Sequence, residues 1–307
     1  MKTALVLGGT MFFGKKLVER LLEEGIAVTI ATRGQASDDF GDRVERLIVD
    51  REDKNTLEEA LSTRSFDIVY DQSCFSPQEA LDICDILNGK ISKLVFTSSG
   101  AVYDFGVNKI EGDFDPYTYS TSELKGRREY KGIFGYQEAK RVAEAVYFQK
   151  ASFPVVAVRL PIVVGEDDYT ERLKFQVEKV VKEEPLHIPN LDNILDFITS
   201  DEAANFLFEL GLSSFEGPIN GSAPDDVSFR DLMKQIEDIV GTKAVYTDEQ
   251  NENTMSPYAL PASYSLCSKK AEQIGFTFKS VNDYIPQLVH FYFKKVNQMR
   301  DETQEDK

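Results

Sequence analysis

Tyr136 and Lys140 are a pair whose types and spacing could do chemistry in this 307-residue chain. They stand in the stretch "YQEAK", and a spacing of four residues places both side chains on one face of a helix. A free phenol keeps its proton at neutral pH, but a nearby ammonium group favours the phenolate electrostatically. The pair could therefore exchange a proton with a bound hydroxyl or carbonyl group. Taken alone, a tyrosine on a helix surface is the ordinary interpretation.

The elements that must position this pair alternate along the first 160 residues. Apolar runs such as "TALVL", "FDIVYD", "KLVFTSS" and "PVVAVRL" are separated by amphipathic stretches such as "GKKLVERLLEEG" and "FGYQEAKRVAEAVYFQK". Continuous apolar runs between helices predict parallel strands that are covered on both faces. The fold class is therefore predicted to be α/β, with a doubly wound parallel sheet of the Rossmann type.

The alternation loosens after Gly165, which predicts a second, smaller unit. We expect a C-terminal α/β lobe that binds the substrate. The predicted organisation is a dinucleotide-binding domain at 1–165 to which 187–211 returns, a substrate lobe at 166–186 and 212–300, and a tail at 301–307.

The turn out of the first strand is rich in glycine and reads "LVLGGTMFFGKKL". Gly8 can take a tight turn, Gly14 lets the helix approach the strand, and N–H groups at the helix start can hold a pyrophosphate. Met11 stands where a further glycine would complete the pattern. Because the turn follows a predicted strand and precedes a helix, it favours dinucleotide binding over a purely structural turn. The candidate contacts are Gly8, Thr10, Met11, Phe12, Phe13 and Gly14.

Residues at the ends of the second and third predicted strands indicate whether the dinucleotide is NAD or NADP. Thr32 and Arg33 stand where an NAD-binding chain usually carries an acidic residue. Arg33 could face the 2′-phosphate of NADP, or it could be a solvent-exposed arginine, so NADP is slightly favoured over NAD. Asp50, which precedes Arg51, could accept a hydrogen bond from the adenine amino group or serve as a turn residue.

The composition limits the possible partners. The formal net charge of −17 opposes a nucleic-acid or anionic-membrane partner. The cysteines form no CxxC motif, and the two histidines, His187 and His290, lie far apart, so no metal site is expected. No apolar run approaches the ~20 residues that span a bilayer, and the N-terminus lacks the long apolar core of a signal peptide. We therefore expect a cytoplasmic protein that acts on a small molecule.

Five stretches, in this order, resemble the extended short-chain dehydrogenase/reductases, the NAD-dependent epimerase/dehydratase family. They read "GGTMFFG", "FTSSGAVYD", "YQEAK", "VRLPIVVGEDDY" and "LDFITSDEAA". The form of the glycine turn resembles an atypical branch of that family, which also includes proteins thought to bind RNA. The resemblance implies an enzyme that transfers hydride to or from a hydroxyl or carbonyl group of a sugar-like substrate. A non-catalytic cofactor-binding or RNA-associated protein is the alternative.

The resemblance also assigns residues. It implies a catalytic set of Ser99, Tyr136 and Lys140, with Ser98 in place of Ser99 if the register differs by one. Epimerases and reductases share this set, so the sequence leaves the two reactions open. A homodimer through the helices near 77–89 and 134–150 is implied as well. The implied cofactor contacts beyond the glycine turn are Gln72, Ser73, Tyr136, Lys140, Pro161 and Val163.

Three departures from the family pattern bear on the substrate. Gly100 and Ala101 stand where sugar dehydratases carry the Asp-Glu pair that removes water, which argues against dehydration. Leu195 stands where nucleotide-sugar epimerases carry an arginine, and "SPYALPAS" lacks a second one, which argues against a nucleotide-diphosphate sugar. The segment before Tyr136 is unusually long and contains the basic run "LKGRREYKG". It could be a lid whose cations meet an anionic substrate group, or a solvated loop; the cations are Lys125, Arg127 and Arg128.

Overall fold

The computed structural model describes residues 1–305, with side chains for residues 1–299. Its strands are β1 (Thr3–Leu7), β2 (Ala27–Thr32), β3 (Val44–Ile48), β4 (Phe66–Asp71), β5 (Ile91–Ser99), β6 (Gly106–Lys109), β7 (Val155–Leu160), β8 (Ile162–Val164), β9 (Pro185–Leu186), β10 (Ile194–Leu195), β11 (Phe197–Thr199), β12 (Gly217–Asn220), β13 (Val227–Ser228), β14 (Val245–Tyr246) and β15 (Tyr264–Leu266). Its helices are α1 (Phe12–Glu23), α2 (Lys54–Leu61), α3 (Pro77–Ile86), α4 (Gly132–Lys150), α5 (Arg172–Val181), α6 (Ser200–Leu212), α7 (Phe229–Val240), α8 (Lys269–Gln273) and α9 (Val281–Glu305).

The main sheet has seven strands in the order β12-β7-β5-β4-β1-β2-β3. Every pairing in it is parallel, and the order runs outward from β1 in both directions. This is a doubly wound sheet, and it confirms the predicted fold class. Strand β12 completes one edge, although residues 217–220 were predicted to lie in the smaller lobe. Its sequence, "GPIN", is too short to reveal which sheet it would join.

Both faces of the sheet are covered by helices, which explains why its strands are apolar throughout. Helices α1 and α6 pack on one face, and α2, α3 and α4 pack on the other. Helix α1 buries Leu17, Val18 and Leu21 on a single stripe, and each fully buried leucine contributes roughly 1.5–3 kcal/mol relative to exposure. The sheet therefore fixes the positions of the loops at its carboxyl edge, where ligands of such folds bind.

A third core lies outside the sheet and is formed by α5, α7 and α9. Residues 187–211 partly return to the main unit: β11 pairs with β8, and α6 packs on α1. The helix α9 continues to Glu305, so the predicted tail begins inside a helix, and residues 306 and 307 lie outside the described part. Between residues 1 and 305, no helix is long and apolar enough to cross a membrane. No cluster of metal-ligating side chains occurs in the same part of the chain.

Residues 115–130, which we call the strap, lie across the outer face of α4. The Gln149 side-chain amide donates to the backbone oxygens of Pro116 at 2.9 Å and Tyr119 at 2.7 Å. The Tyr119 hydroxyl donates to Glu138 at 2.7 Å, and the Tyr117 ring packs 4.8 Å from a phenylalanine of α4. These contacts hold the strap against α4 near Glu138 and Gln149.

Candidate active site

The glycine turn between β1 and α1 needs two adjacent glycines. Gly8 and Gly9 have φ angles of +109° and +92°, which side chains of L-residues rarely adopt. A Cβ atom on Gly9 would also lie 2.9 Å from carbon atoms of Val6 and Val18. Gly8 was among the predicted contacts but Gly9 was not, although the pair "GG" is visible in the sequence. On Gly14, a Cβ atom would lie 2.3 Å from the side-chain oxygen of Gln72, so glycine is needed there for space.

The first turn of α1 is free to receive an anion. Met11 caps the helix without a side-chain hydrogen bond, and the first turn contains no acidic residue. Backbone N–H groups at a helix start carry partial positive charge and bind phosphate groups well. The missing glycine at position 11 is tolerated because the Met11 backbone is extended and its side chain is half exposed.

Two cavities lie on either side of this turn. The first has a volume of about 390 Å³. Many of the residues predicted to bind the cofactor line it, and they are Gly8, Thr10, Met11, Thr32, Arg33, Asp50, Arg51 and Ser73. Arg33 is exposed and makes no ion pair with a described carboxylate. The Asp50 carboxylate accepts from the backbone N–H of Glu52 at 3.0 Å, so this residue has a turn role as well as a place in the cavity wall.

Arg51 is buried in the wall of the first cavity beside an acidic group. One of its terminal nitrogens donates to Asp71 at 2.8 Å, while its other terminal nitrogen and its Nε have no hydrogen-bond partner. Burial acts to lower the pKa of Arg51, but Asp71, Tyr147, Cys74 and Glu79 together outweigh it and hold the pKa above its ordinary value. The guanidinium therefore stays charged at the base of this cavity.

The strap brings one arginine, Arg127, to the first cavity and none of its cations to the cavity of the catalytic residues. Arg127 donates to both carboxylate oxygens of Glu79 at 2.7 Å. Arg128 pairs with Glu52 at 2.7 Å, and Lys125 pairs with Glu123 next to it in the chain. The sequence predicted that these three cations could contact the substrate. In the structure, each of them pairs with a neighbouring carboxylate.

The second cavity has a volume of about 450 Å³ and opens beside the carboxyl ends of β5 and β7. It brings together the predicted catalytic residues and the remaining predicted cofactor contacts, except Gly14. These lining residues are Phe12, Phe13, Gln72, Ser99, Tyr136, Lys140, Pro161 and Val163. Gly8, Thr10 and Met11 line the first cavity, and Phe12 and Phe13 line the second. The two cavities therefore lie in succession along the turn, and we call them together the groove.

Lys140 is fixed in the wall of the second cavity. Its ammonium donates to the backbone oxygens of Cys74 at 2.9 Å and Thr97 at 3.0 Å, and it lies 4.6 Å from the centre of the Phe96 ring. Tyr136 lies one helical turn earlier on α4, with its ring 5.6 Å from that of Phe75. Its hydroxyl makes no hydrogen bond to another described residue, so it is available to a ligand.

Two neighbouring serines at the end of β5 have different surroundings. The Ser98 hydroxyl donates to Glu144, whose carboxylate also accepts from Arg159 at 3.1 Å in a fully buried ion pair. The Ser99 oxygen accepts from the backbone N–H of Ala101 at 3.1 Å, which leaves its own O–H free to donate. Ser99 is therefore the serine that can hold an oxygen atom in the cavity.

Several cavity residues were not anticipated from the sequence, and Arg172 and Tyr264 are two of those that carry polar groups. Arg172, at the start of α5, lines the second cavity and makes no ion pair with a described carboxylate. Its Nε donates to Thr170 at 3.0 Å. Tyr264 comes from β15 and places its phenol against Gly100. Both residues follow the dinucleotide-binding region in the chain, and no local motif connects either one to Tyr136.

This chain is similar to known proteins in sequence and in fold. The model of the family described as "NAD dependent epimerase/dehydratase family" matches residues 4–214. A UDP-glucose 4-epimerase from Thermus thermophilus, solved with NAD, superposes with a TM-score of 0.69 at 21% identity, over 94% of this chain and 98% of that chain. A dTDP-glucose 4,6-dehydratase from Bacillus anthracis, solved with NAD, superposes with a TM-score of 0.73 at 15% identity, over 96% and 97%.

One further relative matches a shorter stretch. The chloroplast stem-loop binding protein of 41 kDa b from Arabidopsis thaliana is 34% identical over 115 residues, which are 33% of this chain and 30% of that protein. The family match covers more than two thirds of the chain, and the structural matches share its fold from end to end. The resemblance seen in the sequence is confirmed, and the chain belongs to the NAD dependent epimerase/dehydratase family of enzymes.

Proposed function

We propose that this protein is an NAD(P)-dependent oxidoreductase or epimerase that transfers hydride at a hydroxyl or carbonyl group of a sugar-like small molecule. The observation that carries the proposal is the single cavity lined by Ser99, Tyr136 and Lys140 beside the glycine turn. The free N–H groups of α1 and the groove along the turn fit a dinucleotide. The nicotinamide ring of such a cofactor supplies the hydride acceptor or donor.

The three side chains divide the proton chemistry between them. In the oxidation direction, Tyr136 as phenolate takes the proton of the substrate hydroxyl while hydride leaves the same carbon for the cofactor. The Ser99 O–H donates to the reacting oxygen and holds it in place. Lys140, fixed by two backbone oxygens, stabilises the phenolate electrostatically and can hold the cofactor ribose. In the reduction direction, Tyr136 returns the proton.

The test of this proposal is the conservative variant Tyr136→Phe. We expect it to lower the rate of hydride transfer by roughly 10²–10⁴-fold for any carbonyl substrate that the wild type reduces, because only the proton donor is lost. The dissociation constant for the cofactor should change far less than the rate, because the ring and all other cofactor contacts are kept. Tyr130→Phe, six residues earlier and outside the cavity, is the matched control. An equal rate in Tyr136→Phe and wild type would refute the catalytic assignment.

For the cofactor, we propose a slight preference for NADP over NAD, supported by Arg33. Its guanidinium has no acidic partner among the described residues and stands in the cavity wall at the end of β2. The 2′-phosphate of NADP would give the Arg33 guanidinium an anionic partner. Arg33→Ala should weaken NADPH binding about tenfold, with little change for NADH, in a fluorescence titration. If the variant loses affinity for both cofactors equally, Arg33 does not read the phosphate.

An RNA-associated function is the second candidate, favoured by the likeness to the Arabidopsis stem-loop binding protein. The net charge of −17 opposes it, because binding of phosphate backbones depends on excess positive charge. A gel-shift assay with a stem-loop RNA at low salt separates the two candidates. Binding that cofactor does not change, together with no hydride transfer, would favour the RNA function. The cytoplasmic location stays a prediction.

A further inference from the structure

Arg127 is a cation of the first cavity to which the proposed chemistry gives no role. It belongs to the strap, which contributes no strand to the main sheet and no helix to its faces. The rest of the cavity wall comes from the glycine turn and from residues at or just after the carboxyl ends of β2, β3 and β4. A side chain from outside the doubly wound unit therefore completes the wall of a cavity that this unit forms.

Two ion pairs fix the strap at one end of this cavity. Arg127 donates to both carboxylate oxygens of Glu79, on α3, at 2.7 Å. Arg128 pairs at 2.7 Å with Glu52, which follows β3 and also lines the cavity. The strap thus connects α3 to the turn after β3, two residues from Asp50, which is predicted to accept from the adenine amino group. The end of the cavity that the strap reaches is therefore the adenosine end.

The Arg127 guanidinium is held in one orientation, with one terminal nitrogen left over. Its Nε and Nη2 donate to Glu79, and Nη2 also donates to the backbone oxygen of Ser73 at 3.1 Å. Its central carbon lies 5.7 Å from the centre of the Phe75 ring. Nη1 makes no hydrogen bond to another described residue, and the side chain is 33% exposed. A guanidinium that is already fixed loses little conformational entropy when its free N–H groups meet an acceptor.

We propose that Arg127 binds the adenosine half of the cofactor by donating from Nη1 to an acceptor nitrogen of the adenine ring. The inference rests on the proposed function, which places the pyrophosphate at the start of α1 and the nicotinamide in the second cavity. That placement leaves the first cavity, of about 390 Å³, to adenosine. Adenine has ring nitrogens that accept and an amino group that donates, so the cation of Arg127 and the carboxylate of Asp50 complement each other. The strap thereby takes part in cofactor binding.

Calorimetric titration with ADP-ribose, which contains the adenosine half and the pyrophosphate but no nicotinamide, tests the contact. Arg127→Ala and Arg127→Lys should each raise the dissociation constant about tenfold, because one hydrogen bond from a charged donor is lost. Lysine keeps a cation beside Glu79 but has no second nitrogen for the adenine, so a loss in that variant does not come from an unpaired carboxylate. Arg128→Ala is the matched control. It removes the same charge from the next residue, which does not line the cavity, and should change the constant by less than about twofold.

Hydrogen exchange of the strap, residues 115–130, separates a contact with the ligand from a purely structural role of Arg127. In wild type and in Arg128→Ala, saturating ADP-ribose should slow exchange in the strap, because the ligand opposes local opening. In both Arg127 variants, saturating ADP-ribose should leave exchange in the strap unchanged, since the connection between ligand and strap is lost. A structural role alone would change exchange to the same extent with and without ADP-ribose.

Three results would overturn the inference. They are wild-type affinity for ADP-ribose in both Arg127 variants, an equal loss of affinity in Arg128→Ala, and strap exchange that ADP-ribose does not slow in wild type. If wild type binds no ADP-ribose, this inference and the proposed dinucleotide site fail together. The proposed catalysis fails separately, through an unchanged rate of hydride transfer in Tyr136→Phe, and that result would leave the contact of Arg127 with adenosine intact.

Discussion

Gly100 and the Tyr264 phenol occupy adjoining space beside the second cavity, so that a side chain at position 100 and the phenol exclude each other. An aspartate at position 100 would need the space that the phenol fills. This chain therefore differs from the sugar dehydratases by more than the residues at positions 100 and 101. Tyr264 of β15 also fills the space that a side chain at position 100 would need. Restoring the carboxylates at positions 100 and 101 alone should not restore dehydration.

Gly100→Ala tests this packing directly. We expect the free energy of unfolding to fall by roughly 1–3 kcal/mol, because the new methyl group must displace the Tyr264 phenol or the backbone. Gly112→Ala is the matched control, since a Cβ atom there meets nothing within 4 Å and the backbone is not left-handed. Urea denaturation of both variants measures the difference. Equal stabilities would show that the phenol moves aside at no cost.

At the scale of elements, the strap is attached to the main domain by two arginines in different surroundings. Arg127 pairs with Glu79, whose side chain is 3% exposed, whereas the side chain of Arg128 is 81% exposed. Arg127→Ala should lower the free energy of unfolding by roughly 1–3 kcal/mol, because it leaves a buried carboxylate short of donors. Arg128→Ala should change it little. Similar losses in the two variants would contradict this account of how the strap is held.

A buried carboxyl group connects the loop elements of the second lobe. Asp196 accepts from the Ser222 hydroxyl and from the backbone N–H of Leu266 at 2.8 Å, which ties the β10–β11 region to β15 and so to Tyr264. Burial raises the pKa of Asp196 to about 8 in the folded protein, from 3.8. The folded state therefore binds this proton more tightly than the unfolded state does.

The sign of the resulting pH dependence follows from that difference. The stabilisation that Asp196 gives as a neutral acid is complete below pH 3.8 and is lost as the pH rises to about 8. Across that window it should lower the free energy of unfolding by at most ~1.4 kcal/mol per pH unit. Asp196→Asn should remove this slope, measured by urea denaturation between pH 5 and 8. If wild type and variant keep the same slope, the carboxyl group is ionised in the fold.

At the scale of the whole molecule, the fold and much of the site followed from local sequence patterns. Apolar runs alternating with amphipathic helices predict a parallel sheet. Ser99 ends β5 at the carboxyl edge of that sheet, and Tyr136 lies near the start of α4 at the same edge. The position of Tyr264 did not follow, because it depends on the pairing of two short strands that are distant in sequence. The pairing of Arg127 with Glu79 did not follow from the sequence either. It depends on how the strap folds back onto α3, and no hydrophobic periodicity predicts that path.

The strap also covers part of the surface through which the expected homodimer would form. The homodimer expected from the resemblance would pack α3 and α4 against a second copy. In this chain the strap lies over the outer face of α4 and buries part of that surface. A dimer of that geometry would have to displace the strap or pack on top of it, so the homodimer stays a prediction.

In the proposed mechanism, a nicotinamide ring and the Tyr136 phenol meet in the second cavity. A crystal structure of the protein with bound NADP⁺ or NAD⁺ would show whether they do. We expect the pyrophosphate at the start of α1 and the nicotinamide between Phe13 and Pro161, with its reactive carbon facing the hydroxyls of Tyr136 and Ser99. A nicotinamide outside this cavity, or a cofactor bound away from the glycine turn, would refute the proposed mechanism.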